Sequence, residues 1–256
     1  MPLIISFDAY ERKARIAPAI LVAFPLLTSL WTCFSWEGIS IGGKALGGVI
    51  SVAMLYGASI TIRSLGRLIE PRLWQDWGGP PSTILMSWKD QKISKDLKKQ
   101  YHQAIESFMN LPTSSESEEL ADPKKADELI FQAFTRVKGI LREKDKGGLW
   151  FSNDADYGFQ RNLLGSRKLW ILLSAIGFVV NGVFSLFRPS EMVVGGLVIN
   201  LIILVGAIYL GWFILPKGVE QSAFRYAESA WESFLNIASN KKQLQEINHG
   251  IRDLHS

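Results

Sequence analysis

Long apolar segments alternate along the chain with polar segments in which apolar residues recur at helical spacing. The four apolar segments occupy residues 16–36, 41–62, 169–187 and 192–215. A bilayer core about 30 Å thick requires roughly 20 apolar residues in a helix, and each segment is close to that length. The pattern therefore predicts an all-α integral membrane protein with four transmembrane helices.

The links between the apolar segments predict how the helices pair. Only about five residues join the first segment to the second, and a similar link joins the third to the fourth, which favours two antiparallel hairpins. We therefore predict an N-terminal arm and first hairpin at 1–62, an inserted cytosolic helical domain at 63–168, a second hairpin at 169–215 and a C-terminal amphipathic helix at 216–256.

The polar parts carry their own helix and break signals. Two soluble helices are predicted from apolar residues three or four positions apart, namely Ile93, Leu97, Tyr101, Ile105 and Phe108, then Ala126, Ile130, Phe134, Val137 and Leu141. Residues 111–120 lack this period and are predicted to form a mobile loop. Pro71 is predicted to disturb the helix that continues from the second apolar segment, and Pro216 to allow a bend after the fourth.

The distribution of Lys and Arg predicts the orientation in the membrane. Of the 28 basic residues, 18 lie in 63–168, whereas the two hairpin tips contain only Lys44 and Arg188. Because cytoplasmic loops are enriched in Lys and Arg, we expect a multi-pass protein of the cell inner (plasma) membrane with both termini in the cytoplasm. The net charge of +4 then follows from topology, and no nucleic-acid partner is expected.

The sequence carries no recognisable catalytic motif. His102 and the two later histidines have no HExxH or cysteine partner, and there is no G-x-S-x-G. The single cysteine, Cys33, excludes an internal disulfide and a cysteine-cluster metal site. We therefore predict a non-enzymatic protein without a metal or cofactor.

Two asparagines interrupt the third and fourth apolar segments. Asn181 and Asn200 lie at similar distances from the link between these segments, so a rise of about 1.5 Å per residue places them at the same depth. An amide in hydrocarbon needs a hydrogen-bond partner, so we expect the two side chains to bond each other or another helix. The alternative is a polar ring that lines a pore in a homo-oligomer.

Glycines are concentrated in the outer halves of the second and fourth apolar segments, at Gly47, Gly48, Gly195 and Gly196 among others. Missing side chains allow helix backbones to approach closely. The glycines therefore predict either packing within one four-helix unit or contacts between subunits.

A lysine cluster follows the second apolar segment. Lys89, Lys92, Lys95 and Lys99 lie close together, with Lys98 between them. They are typical of a solvated helix face, but basic residues near a membrane also attract anionic headgroups. A third alternative is a phosphate-bearing ligand, although no glycine-rich phosphate loop accompanies the cluster.

A second candidate contact region precedes the third apolar segment. Tyr157, Phe159, Arg161 and Asn162 combine aromatic and polar contact-forming side chains close to the membrane. We expect them either to pack into the core of the cytosolic domain or to form a ligand or partner site.

Two short segments carry a family resemblance. Residues 73–85 (LWQDWGGPPSTIL) and 157–165 (YGFQRNLLG) resemble the W-GG-P-[ST] and YGF-RNL motifs of a group of bacterial four-helix membrane proteins. The resemblance implies a helical cytosolic domain flanked by these motifs. The layout is also similar to membrane effectors of bacterial anti-phage defence, which combine transmembrane hairpins with a cytosolic sensing part.

Three functions are compatible with this pattern. The first is a non-enzymatic, oligomeric membrane effector or ion-channel-like protein that is controlled through its cytosolic domain. The second is a membrane anchor or scaffold that recruits a cytosolic protein partner through residues 64–168. The third, an enzyme acting on lipid or nucleotide, requires a convergent polar site around Tyr157, Arg161 and Asn162.

Overall fold

A computed structural model of the chain describes residues 9–34, 40–145 and 147–253, and every regular element in these ranges is a helix. In chain order they are α1 (Ala9–Glu11), α2 (Ala17–Cys33), α3 (Ile41–Trp77), α4 (Pro81–Met86), α5 (Lys95–Met109), α6 (Glu116–Ala121), α7 (Pro123–Lys144), α8 (Leu149–Gly165), α9 (Arg167–Phe187), α10 (Glu191–Tyr209) and α11 (Leu215–Asp253). Two π-helical turns, Arg12–Ile16 and Leu210–Ile214, join α1 to α2 and α10 to α11. The all-α class is confirmed for these residues.

Four helices are long and apolar enough to cross a membrane, and they coincide with the four apolar segments. The first is the continuous helix Ala9–Cys33, and the others contain α3, α9 and α10. We call these four helices the spans. Residues 35–39, which link the first two spans, lie outside the described residues, and the hairpin layout and inserted domain stay predictions.

The chain forms two compact units. Unit 1 comprises residues 1–72 and 155–222, and unit 2 comprises 73–154 and 223–256. Polar residues that flank the apolar segments bond one another within unit 1, and the domain boundaries expected at 63 and 168 stay predictions. The apolar face of α11 belongs to the core of unit 2.

In unit 1, α2, α9 and α10 pack on one another. Their buried positions are mostly small or polar, and the large apolar side chains of α10, such as Ile202 and Val205, are 65% and 58% exposed. Lipid tails are as apolar as leucine, so helices in a bilayer pack through small and polar residues and turn large apolar ones outward. The side-chain distribution is therefore that of spans in lipid.

In unit 2, α5, α7 and α11 surround one aromatic core. Trp231 of α11 is completely buried, and its ring centroid lies 5.2 Å from that of Phe134 and 6.2 Å from that of Tyr101. The indole Nε1 donates a hydrogen bond to Ser82 O at 3.2 Å, so the polar edge of this ring is satisfied. The predicted apolar faces of α5 and α7 are confirmed by this core.

The mobile loop predicted at 111–120 is wrong for Ser115 and the residues after it, because Ser115 is the N-cap of α6. Ser115 Oγ accepts a hydrogen bond from Glu118 N, and the Glu118 carboxylate accepts one from Ser115 N, which is a capping box. Glu119 is buried and accepts hydrogen bonds from Trp88 N at 2.9 Å and from the Ser87 hydroxyl. These bonds fix the segment to unit 2.

Helix α3 ends at a pair of glycines, whereas α3 and α11 continue through Pro71 and Pro216. Helix α3 continues through Pro71 to Trp77, so the disturbance predicted at Pro71 does not end the helix. The helix stops where Gly78 and Gly79 adopt φ values of +88° and +144°, which side-chain-bearing residues rarely adopt. The chain also stays helical across Pro216, which follows the wider π-helical turn Leu210–Ile214. Such a turn is a common way to accommodate a proline in a long helix.

Candidate functional site

Four polar side chains form a hydrogen-bonded cluster between α2, α9 and α10, and we call Ser29, Thr32, Asn181 and Asn200 the polar ladder. Asn200 Nδ2 donates to Asn181 Oδ1 at 3.1 Å and to Ser29 Oγ at 2.9 Å. Asn181 Nδ2 donates to Thr32 Oγ1 at 2.7 Å. The expected bond between the two asparagines is therefore present, and it extends to the first span.

The polar ladder is sealed inside a single chain. Asn181 and Asn200 are both completely buried. A Cβ at Gly196 would lie 2.5 Å from Thr32 Oγ1 and still closer to Asn181 Nδ2, so only glycine fits where the helices approach. A pore between copies must be lined by surfaces that each chain exposes. The pore role suggested for Asn181 and Asn200 therefore finds no support in this geometry, and their bonds fix helix register instead.

The N-terminal half of α3 presents the opposite situation. Every described position from 47 to 54 is exposed, with Val52 at 62% and Met54 at 70%. A Cβ added at Gly47, Gly48 or Gly57 would meet no described atom within 4 Å. We call residues 47–57 of α3 the open glycine surface. The alternative of packing within one unit applies to Gly196. Gly47, Gly48 and Gly57 have no packing neighbour in the described part of the chain.

A buried ion pair joins α3 and α8 in unit 1. Arg161 Nη1 and the Tyr157 hydroxyl donate to the same atom, Glu70 Oε1, at 2.8 and 2.7 Å. Burial raises the pKa of Tyr157 well above its ordinary value, so the hydroxyl keeps its proton and remains a donor. Burial alone would lower the pKa of Arg161, but the charges of Glu70 and Tyr157 hold it above its ordinary value.

Asn162 connects this ion pair to the first π-helical turn. Its Nδ2 donates to Ala14 O at 2.7 Å, and Asn162 is 1% exposed. Gly66 lies against Asn162, since a Cβ there would be 2.8 Å from Asn162 Cα. Tyr157, Arg161 and Asn162 are thus occupied by internal bonds of unit 1, whereas Phe159 is only half-buried. The expectation of a cytosolic contact site at these four residues stays a prediction.

A cleft of about 450 Å³ lies between the first span and α3, and we call it the arginine cleft. Arg15, Arg63 and Arg67 line one part of it, and Tyr56 and Ile60 line another. Arg15 Nη1 donates to Glu11 at 2.6 Å, but its buried Nε has no hydrogen-bond partner in the described structure. Burial lowers the pKa of Arg63, and the positive charges of Arg15 and Arg67 lower it further.

The arginine cleft was not among the sites predicted from the sequence. A signal was present, because Arg15 directly precedes the first apolar segment and Arg63 directly follows the second. If two successive spans run antiparallel, such residues meet at the same membrane face. In the sequence, these charges indicate only the orientation in the membrane.

The lysines that the sequence singled out do not form one free patch. Lys95 Nζ lies 2.8 Å from the Glu116 carboxylate, and Lys99 Nζ lies 3.5 Å from that of Asp96. Lys92 Nζ lies 3.4 Å from the Phe224 ring centroid, which is a cation–π contact. Their exposed neighbour is Lys89, which has no ion pair with a described residue.

Lys98, between these lysines, is completely buried. Its ammonium donates to the carbonyl oxygens of Ser87 and Asp90, so it closes the turn after α4. Burial lowers the pKa of Lys98. The two ion pairs, the cation–π contact and this buried amine favour the solvated-face interpretation of the cluster over a phosphate site.

Within the described residues, no three His, Cys, Asp or Glu side chains come together as a group that could hold a metal ion. Comparison of the chain with protein-family models, with curated proteins and with solved structures gave no match. Functional inference therefore rests on the geometry of the two units.

Proposed function

We propose that the protein is a homo-oligomeric membrane effector with a channel-like centre, in which copies contact one another through the open glycine surface of α3. The single observation that carries the proposal is the contrast between the spans. In the span that contains α3, only 11% of the most apolar stretch is buried, whereas 28% of the corresponding stretch is buried in the first span.

The open glycine surface suits a second copy better than lipid alone. Small residues at spacings of four, such as Gly47 with Ser51 and Ala53 with Gly57, allow two helix backbones to approach closely. Close approach replaces lipid contacts by van der Waals packing along the helices, which is the main driving force for association in a bilayer. Because the other three spans already pack on one another, α3 is the span best placed for contacts between copies.

A ring of α3 helices would form an apolar centre flanked by hydroxyls. Ser51, Thr61 and Ser64 are exposed, and each hydroxyl donates to a backbone carbonyl of its own helix. A narrow apolar constriction of this kind gates by losing its water, and needs no charged residue inside the membrane. Unit 2 would receive the controlling signal, as in the defence effectors that share this layout.

The test combines oligomeric state with ion flux. The full-length protein in lipid nanodiscs is expected to be an oligomer by native mass spectrometry, and to release an ionic dye from liposomes when triggered. Gly48→Leu together with Gly57→Leu should give monomers without flux, because leucines would separate the helices. Gly206→Leu is the matched control, since a Cβ at Gly206 of α10 also meets nothing within 4 Å.

Two results would contradict this proposal. One is a wild-type protein that stays monomeric in nanodiscs at every concentration. The other is an unchanged oligomer in the Gly48→Leu, Gly57→Leu double variant. An oligomer without flux under any trigger would remove the channel-like part alone.

The second candidate is a membrane anchor for a cytosolic protein partner. The observation that favours it is an exposed aromatic side chain of unit 2. Phe131 is 49% exposed and lines a cleft of about 290 Å³, together with Pro80 and the acidic residues Asp127 and Glu128. A scaffold predicts a stoichiometric partner that is lost in Phe131→Ser and retained in Leu149→Ser, since Leu149 is also exposed but does not line this cleft. Capture that is equal in both variants would exclude this surface.

A further inference from the structure

The arginine cleft has an excess of positive charge that the described residues do not neutralise. Three guanidinium groups, those of Arg15, Arg63 and Arg67, line it, together with one carboxylate, that of Glu11. That carboxylate is bound to Arg15, and no described acidic group pairs with Arg63 or Arg67. Like charges that line one cleft repel one another, and an anion between them would remove that repulsion.

The geometry points to a phosphate oxyanion as the occupant, carried by the headgroup of an anionic glycerophospholipid. Guanidinium groups offer several N–H donors in a planar arrangement that matches the oxygens of a phosphate. Arg15 contributes a buried Nε without a hydrogen-bond partner, so at least one donor is already desolvated and unused. A phosphate would satisfy this donor and separate the three positive charges.

The walls of the cleft explain why a lipid suits it better than a free phosphate. Arg63 and Arg67 follow the apolar part of α3, whereas Tyr56 and Ile60 lie one to three turns closer to the membrane interior. Ile16 continues the apolar wall on the side of the first span. A phospholipid presents its phosphate and its acyl chains in the same order, so both ends of the cleft would be occupied.

The inference does not depend on the proposed function. The open glycine surface occupies residues 47–57 of α3, whereas Arg63 and Arg67 lie further along the same helix and Arg15 precedes the first span. Leucine substitutions in the glycine surface test assembly, and glutamine substitutions in the cleft test lipid binding. Loss of one property without the other distinguishes failure of the two proposals.

The experiment measures the unfolding temperature of the full-length protein in nanodiscs of phosphatidylcholine alone and in nanodiscs with phosphatidylglycerol. The wild type is expected to unfold several degrees higher with phosphatidylglycerol. Arg63→Gln together with Arg67→Gln should remove this shift. Since each basic residue near an anionic surface contributes severalfold in binding, the double variant should retain phosphatidylglycerol about thirtyfold less well in native mass spectrometry.

Arg72→Gln is the matched control for charge. Arg72 is exposed, lies on the same helix and does not line the cleft, so this variant should keep the full shift. An unchanged shift in the Arg63→Gln, Arg67→Gln variant would overturn the inference, as would a wild type indifferent to phosphatidylglycerol. Equal stabilisation by inorganic phosphate in phosphatidylcholine nanodiscs would assign the cleft to a soluble phosphate and overturn the lipid assignment.

Discussion

Asn181 and Asn200, on neighbouring spans, bond to each other at 3.1 Å in an interior where neither has any exposed surface. The pair is joined to the first span through Ser29 and Thr32, so one connected set of hydrogen bonds specifies how three helices align. In hydrocarbon, each bond contributes only about 0.6 kcal/mol on average, but an amide left without a partner is costly. The polar ladder therefore acts mainly by fixing the register of the three helices, and it adds little to the free energy of unfolding.

Replacing Asn200 by leucine should lower the stability of the spans. The change removes two hydrogen bonds and leaves Asn181 Oδ1 and Ser29 Oγ with fewer partners, so we expect a loss of about 1–2 kcal/mol. Thermal unfolding of the full chain in detergent micelles measures the loss. Thr61→Val is the control, because the exposed Thr61 hydroxyl bonds only its own helix. Equal effects of the two substitutions would contradict a register role.

Two adjacent glycines of α10 should respond differently to alanine. Gly196→Ala places a Cβ 2.5 Å from Thr32 Oγ1, so α2 and α10 must move apart, and we expect a loss of about 1–3 kcal/mol. Gly195→Ala meets nothing within 4 Å and should be neutral or slightly stabilising, because alanine favours the helix. The unfolding temperatures of the two variants in the same detergent measure this difference in stability. A larger loss for Gly195→Ala would show that the close approach lies elsewhere.

The ion pair of Glu70 and Arg161 should behave as a buried pair. Removing only the carboxylate, by Glu70→Leu, leaves the guanidinium group buried and unpaired, and should cost about 3 kcal/mol or more. The double variant Glu70→Leu, Arg161→Met should recover most of that loss, because no isolated charge then remains.

A surface ion pair in the same unit provides the comparison. Lys13 and Asp156 are half-exposed, so Lys13→Gln should cost less than about 1 kcal/mol. Chemical unfolding of all three variants in detergent gives the free energies. If Glu70→Leu costs no more than Lys13→Gln, the buried pair does not support unit 1.

The stability of unit 2 should decrease in mild acid through His102. Its ring is buried against Trp88 with centroids 4.8 Å apart, and burial lowers the pKa of His102 below the ordinary value of 6.5. The unfolded chain therefore binds this proton before the folded chain does, so stability is fully present above about pH 6.5 and falls as the pH drops below it.

His102→Gln isolates this contribution. The variant should be less sensitive than the wild type to a change from pH 7.5 to pH 5.0, whatever its absolute stability. Tryptophan fluorescence during thermal unfolding at both pH values measures this sensitivity. An identical pH response in wild type and variant would exclude His102 as the titrating group.

The spans could be predicted from the sequence because their signal is local and strong. A run of roughly 20 consecutive apolar residues is typical of a transmembrane helix. The structure has a helix at each of the four segments. The apolar faces of α5 and α7 could be predicted too, since a helical period of apolar residues identifies which positions a core must contain. Asn181 and Asn200 were paired correctly for the same reason, because helix rise converts sequence distance into depth.

What the sequence did not reveal depended on local capping and on the fold itself. The Ser115–Glu118 capping box stabilises α6 through two hydrogen bonds, without the apolar period that was used to predict helices. The buried position of Glu119 requires the turn after α4 to lie beside it, which no local pattern encodes. The arginine cleft likewise depends on two helices that are separated by some fifty residues in the chain coming together.

The π-helical turn Arg12–Ile16 sets the direction in which the chain presents its first basic residues. A π turn contains one residue more than an α turn, and each residue of a helix advances the azimuth by about 100°. A chain that lacked Ile16 would retain its charge, yet Arg15 would point roughly a quarter-circle away from α3. Counting charges at the end of a span therefore does not suffice to describe this protein, because the angular phase of the helix decides which charges converge.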